Sequence, residues 1–80
     1  MGTSEIKVEP LAVDAAVTND VLRVVLADGR ELAVPLAWFP RLRDASPEQR
    51  KRWELIGGGI GIHWPEVDED ISVESLLAVR

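Results

Sequence analysis

A chain of 80 residues, 46% hydrophobic and 29% charged, buries little more than half of its unfolded surface, which leaves one thin-cored domain and excludes a second. The absence of cysteine excludes disulfide stapling and thiolate metal sites, and no apolar run approaches a membrane span. A formal net charge of −5 repels phosphate backbones, so nucleic-acid binding would need a segregated basic patch.

The N-terminus lacks the basic-then-apolar pattern of a signal peptide. Met1-Gly2 fails the myristoylation motif because Ile6 stands where Ser or Thr is required. A cytoplasmic protein is expected, with its first few residues disordered. Residues 6–17 are apolar with a break at Pro10, which suits an edge strand or two short pieces. Such an edge could pair with a second copy and make a homodimer by strand addition.

Thr18-Asn19-Asp20 is a turn cluster. The next two apolar segments, 21–26 and 31–36, flank Asp28-Gly29. A two-residue loop would mix their faces. A three-residue loop, Ala27-Asp28-Gly29 with Gly29 left-handed, pairs Val24 with Leu32 and Leu22 with Val34. It gathers Leu22, Val24, Leu26, Leu32, Val34 and Leu36 on one face, so the glycine-bulge loop is expected.

Ala37-Trp38-Phe39-Pro40 suits a turn that drops Trp38 or Phe39 onto the sheet. Ser46-Pro47-Glu48-Gln49 is a helix start, with Ser46 as cap, Pro47 in the first turn and Gln49 closing a capping box. The helix is expected to reach Trp53 or Glu54, with Arg50, Lys51 and Arg52 near its carbonyl end and Glu48 and Arg52 paired across one turn. Leu55-Ile56 and residues 60–64 read as short strands around Gly57-Gly58-Gly59, with Ile60, Ile62 and Trp64 inward and Gly61 and His63 outward. Ser72 is expected to open a last helix with Val73, Leu76, Leu77 and Val79 inward. The fold class is α+β: residues 1–80 as a single domain with a small antiparallel sheet of four to five short strands and two short helices.

Each chemically suggestive cluster has a competing structural explanation. The glycine run lacks the Lys-Ser/Thr of a P-loop, and Trp64 occupies the third glycine position of a dinucleotide fingerprint, so a hairpin turn accounts for it. His63 is the only histidine, and a zinc site would need several more His or Cys ligands. Asp68, Asp70 and Ser72 mimic the opening of a calcium loop, but Val73 and Val79 replace its Gly and Glu. A metal or acid–base site at His63, Asp68 and Asp70 is therefore the weakest candidate. The preferred account is that Trp64-Pro65 ends a strand and the acidic run launches the closing helix, with Asp70 or Ser72 as cap.

No cofactor, metal or catalytic set is assigned, and no enzyme is expected. Trp38, Trp53 and Trp64 are expected in the core; two of them exposed together would mark a partner site. Arg41, Arg43, Arg50, Lys51 and Arg52 form a basic segment, and residues 66–74 carry five carboxylates and no cation. This charge segregation favours protein partners over DNA.

The series Asp28-Gly29-Arg30, Val34-Pro35-Leu36-Ala37-Trp38-Phe39-Pro40-Arg41-Leu42, Gly61-Ile62-His63-Trp64-Pro65 and Asp68-Glu69-Asp70-Ile71-Ser72 resembles the bacterial domain of unknown function 2442, across about residues 11–79. The resemblance implies a small α+β domain, found alone or followed by a helix-turn-helix. Stand-alone members often sit beside a second small gene, in a layout like that of toxin–antitoxin pairs. With Arg80 as its last residue, the chain is expected to be a stand-alone member, and the family supplies no catalytic residues. The leading expectation is an interaction module, antitoxin-like in layout, that binds the product of an adjacent gene. Its candidate contacts are Trp38, Arg41, Arg43, Arg50, Lys51 and Arg52. A nucleic-acid-associated regulator using the basic segment is the alternative.

Overall fold

The first sheet is fixed by its tightest turn. Strands β1 (Ala12–Val17), β2 (Val21–Leu26) and β3 (Glu31–Pro35) are antiparallel in the order β1-β2-β3. Val24 pairs with Leu32 and Leu22 with Val34, the register that the three-residue loop requires. Gly29 has a φ of 95° and its N–H donates to the Leu26 carbonyl at 3.0 Å. The Arg30 N–H donates to Asp28 Oδ1 at 3.0 Å and its Nε to Asp28 Oδ2 at 2.8 Å. Leu22, Val24, Leu26, Val34 and Leu36 are buried in consequence, and Leu32 packs at the margin. The computed structural model describes residues 10–78. The expected disorder of the first residues, the part of the edge strand before Pro10, and Val79 lie outside them.

A second sheet replaces the single four- to five-stranded one expected. It consists of β4 (Glu54–Ile56), β5 (Gly61–Trp64) and β6 (Glu69–Ser72), antiparallel in that order. The acidic run does not launch a helix: it closes a hairpin and becomes β6. Asp68 adopts a φ of 55°, a left-handed conformation that aspartate tolerates better than most residues, and Glu69 then pairs with Trp64. Within Glu69-Asp70-Ile71-Ser72 only Ile71 is apolar and buried, too little alternation to announce a strand. Ile60 lies in the turn ahead of β5 and is exposed, because pairing begins only at Gly61.

Three short helices and a 3-10 turn at Leu36–Trp38 complete the fold, where two helices were expected. Helix α1 (Pro40–Arg43) starts on a proline, whose missing N–H has no partner to lose there, and buries Leu42. Phe39 packs on the core beside it, whereas Trp38 is 47% exposed, contrary to its expected burial. Trp64 is fully buried and Trp53 partly so. Helix α2 (Pro47–Lys51) has the capping box: Gln49 N donates to Ser46 Oγ at 3.1 Å and Ser46 N to Gln49 Oε1 at 2.9 Å. It ends before Trp53 because Arg52 leaves helical geometry (φ −98°, ψ 77°), which lets β4 pair with β5 and brings Trp53 onto the core. Ser72 caps α3 (Val73–Ala78) by accepting from Ser75 N at 3.1 Å. Val73 and Leu76 are buried, but Leu77 is exposed, since so short a helix presents only a narrow stripe. None of the helices among the described residues is long and apolar enough to cross a membrane.

Two contacts join the parts. The Trp64 indole N–H donates to the Arg50 carbonyl at 3.1 Å. The Arg50 guanidinium in turn donates from Nε to the Leu42 carbonyl (3.0 Å), from Nη2 to the Arg43 carbonyl (2.7 Å) and from Nη1 to Asn19 Oδ1 (3.3 Å). One side chain thus satisfies the open end of α1 while its own carbonyl receives the buried tryptophan. The second contact joins the sheets: Ala12 N donates to the Gly59 carbonyl at 2.7 Å. Gly59 has a φ of 118°, and a Cβ there would lie 2.5 Å from the Ala12 carbonyl oxygen.

Three outcomes follow for stability. Gly59→Ala should cost about 3 kcal/mol, since left-handed strain and a backbone collision combine. Gly58→Ala, also at positive φ but with open space around it, should cost roughly 1 kcal/mol, and chemical denaturation separates the two. Arg50→Lys keeps the charge but loses the planar fork; a loss of about 1–3 kcal/mol is expected, against under about 0.5 kcal/mol for Lys51→Ala. The backbone hydrogen bond from Arg30, then its side-chain hydrogen bond and charge, hold the Asp28 carboxyl below its ordinary value. Its contribution is therefore present above the unfolded-state value and lost as pH falls through the folded one. The stability gap between the parent and Asp28→Ala should be widest at neutral pH and narrow as acid titrates the carboxyl.

Candidate functional site

The basic segment and the acidic run, segregated in sequence, fold against each other. Arg41 Nη1 donates to the Asp68 carbonyl at 2.6 Å and lies 3.9 Å from its carboxylate. Arg52 Nη1 donates to Glu66 Oε2 at 2.6 Å. The Glu66 hydrogen bond and charge push the Arg52 guanidinium above its already high ordinary value. Arg43 pairs with Asp44 at 3.2 Å, and the Arg50 fork is occupied by α1 and Asn19. Arg50 and Lys51 have no ion pair among the described residues, and of the five segment cations only Lys51 has no side-chain hydrogen bond there either. Trp38 remains exposed at the end of its 3-10 turn. The exposed pairs add little stability, up to about 1 kcal/mol each, but they cancel much of the basic patch.

His63 and Asp70 meet as cross-strand neighbours of β5 and β6, and His63 Nδ1 and Asp70 Oδ1 are hydrogen-bonding partners. The bond orients the imidazole and leaves Nε2 as its other polar atom. Asp68 does not join them; it lies in the turn facing Arg41. Among the described residues no group of three His, Cys, Asp or Glu side chains is placed to hold a metal ion.

The structure exposes a different feature, to which sequence reasoning assigned no role. Two adjoining depressions share Ile60 and Ser72. One, of about 340 Å³, is completed by Pro10 and Glu74. The other, of about 180 Å³, is completed by Ile56, Gly61, Asp70 and Ile71. Ile56 and Ile60 are 41% and 51% exposed, which makes the lining largely apolar, with a carboxylate in each half and neither Lys nor Arg in either among the described residues. Gly61 forms part of the floor. It has no left-handed φ, and a Cβ on it would meet Ile56 Cδ1 at 3.7 Å and the Ile71 carbonyl oxygen at a tight 3.3 Å, so glycine leaves the surface open and lets β6 approach closely. An isolated glycine inside a strand was the available sequence signal. The partners that build the groove around it come from separate elements.

Comparison with known proteins agrees with this architecture. The model of a family described as a protein of unknown function (DUF2442) matches residues 12–80. The fold is similar to the crystal structure of a protein of unknown function from Rhodospirillum rubrum, with a TM-score of 0.74 and 33% identity over 88% of this chain and 87% of that one. It is also similar to the solution structure of an uncharacterised protein from Chromobacterium violaceum, with a TM-score of 0.70 and 26% identity, covering 84% of this chain and 63% of that one. No curated protein matches the sequence. From the extent of the family match and the shared fold, the chain belongs to the DUF2442 family.

Proposed function

We propose that the protein is a small acidic interaction module that binds a protein partner, in the manner of one member of a two-gene unit. One observation carries this reading: four of the five cations in the basic segment are engaged inside the molecule. The uncompensated surface is acidic, with exposed apolar residues among the carboxylates. A surface of this kind suits a protein carrying the opposite charge. The gene layout implied by the family resemblance makes the product of the adjacent gene the first partner to test, including the antitoxin-like arrangement.

The nucleic-acid alternative would rely on Arg41, Arg43, Arg50, Lys51 and Arg52. Phosphate affinity comes from cations free to displace counterions, and here most of them already hold carbonyls or carboxylates. A site at His63 and Asp70 has the weaker support of a single oriented pair.

Co-expression with the adjacent gene product should give a complex that survives purification at low salt and weakens as salt rises. Failure to co-purify under those conditions overturns the proposal. The same preparation should give no mobility shift of duplex DNA at about 50 mM salt and roughly 100 μM protein. A salt-sensitive shift there would favour the alternative.

A further inference from the structure

The geometry points to the groove around Ile60 as the docking site for a lysine- or arginine-bearing segment of a protein partner. This rests on the interaction reading above and adds the place and the chemistry recognised.

The argument starts from the lining. Pro10, Ile56, Ile60 and Gly61 provide apolar surface, while Glu74 and Asp70 stand at its two halves. A long cationic side chain has the matching construction, with an apolar stem that lies along hydrocarbon and a charged head that reaches for carboxylate or water. A purely apolar ligand would desolvate the Glu74 carboxylate without compensation, and an anionic one would be repelled by Glu74 and Asp70. A second copy is disfavoured on the same ground, because an isologous contact sets this acidic face against itself on a chain of net charge −5. No Lys or Arg lines either depression among the described residues.

Gly61 makes the site testable. Its φ lies outside the left-handed region, and a Cβ would sit 3.3 Å from the Ile71 carbonyl oxygen, a contact that β6 must relieve by a few tenths of an ångström. Gly61→Val would fill the floor between Ile56 and Ser72, and its melting curve shows whether β5 keeps its pairing.

The probe is a short capped peptide of alternating lysine and valine, titrated into the isotope-labelled full chain and followed by amide chemical shifts. Its counterpart with glutamate in place of lysine is the control. Shifts are expected at Ile56, Ile60, Gly61, Ser72 and Glu74 with the lysine peptide, fading as salt rises, and absent with the glutamate peptide. Glu74→Lys should weaken binding roughly fivefold or more, and Gly61→Val, once its melting curve shows a folded protein, should abolish it. Equal shifts from both peptides, a footprint elsewhere, or undiminished binding by folded Gly61→Val would overturn the inference. So would a monomer–dimer equilibrium that Gly61→Val abolishes, which would give the groove to a second copy. Should Gly61→Val itself fail to fold, Glu74→Lys and the glutamate peptide decide alone. An adjacent gene product that binds parent and folded Gly61→Val alike would sink the groove and leave the interaction reading intact. Peptide binding without any complex with that product would do the reverse.

Discussion

The backbone of Gly59 lies so close to that of Ala12 that no side chain fits between them, and the hydrogen bond across this gap joins the two sheets. Neither sheet is large enough to make a core alone; three short strands with one apolar face are marginal in water. Clamping the β4–β5 turn onto β1 brings Ile62, Trp64 and Ile71 into one cluster with Leu22, Val24 and Leu26. The clamp also sets the surface. With Gly59 held inward and the Ile60 carbonyl accepting from Val73 N at 2.9 Å, the Ile60 side chain is left facing out between α3 and β6. The groove is thus a by-product of main-chain geometry, shaped before any side chain chooses a rotamer.

Charge follows a second logic. Along the chain, residues 41–54 carry five cations against three carboxylates and residues 66–74 five carboxylates and no cation, a bias that suggests a two-sided electrostatic surface. Folding turns the blocks towards each other at Arg41–Asp68 and Arg52–Glu66. These pairs carry small energies but large consequences for recognition, because a charge already satisfied within the molecule costs more to recruit to a partner. The remaining field is that of the carboxylates.

What could be read beforehand was whatever local chemistry decides. The loop at Ala27-Asp28-Gly29 sets the register of β2 and β3, and the register sets six inward positions. Ser46 and Gln49 announce the start of α2 through side chains that satisfy free amides. Failures occurred where tertiary pairing overrides a weak local signal. Glu69-Asp70-Ile71-Ser72 looks like helix-leading charge because carboxylates are poor strand formers, yet pairing with β5 and the left-handed Asp68 make it a strand. The contact of His63 with Asp70 was hidden for the same reason, since it exists only if β6 does. Trp38 and Phe39 could not be ranked, as consecutive aromatics at a turn point in different directions. The groove was illegible because Pro10, Ile60, Ser72 and Glu74 are distant in sequence and share no periodicity.

The Arg50 fork has a consequence for how the molecule behaves in solution. Its bonds go to main-chain carbonyls and an amide oxygen, not to carboxylates, and a guanidinium keeps its proton at any ordinary pH. Added electrolyte screens exposed ion pairs within a few ångströms of bulk water, but it hardly competes for neutral acceptors in a partly enclosed place. The framework of helices around Trp64 therefore stays assembled in brine that would loosen the clasps at Asp68 and Glu66.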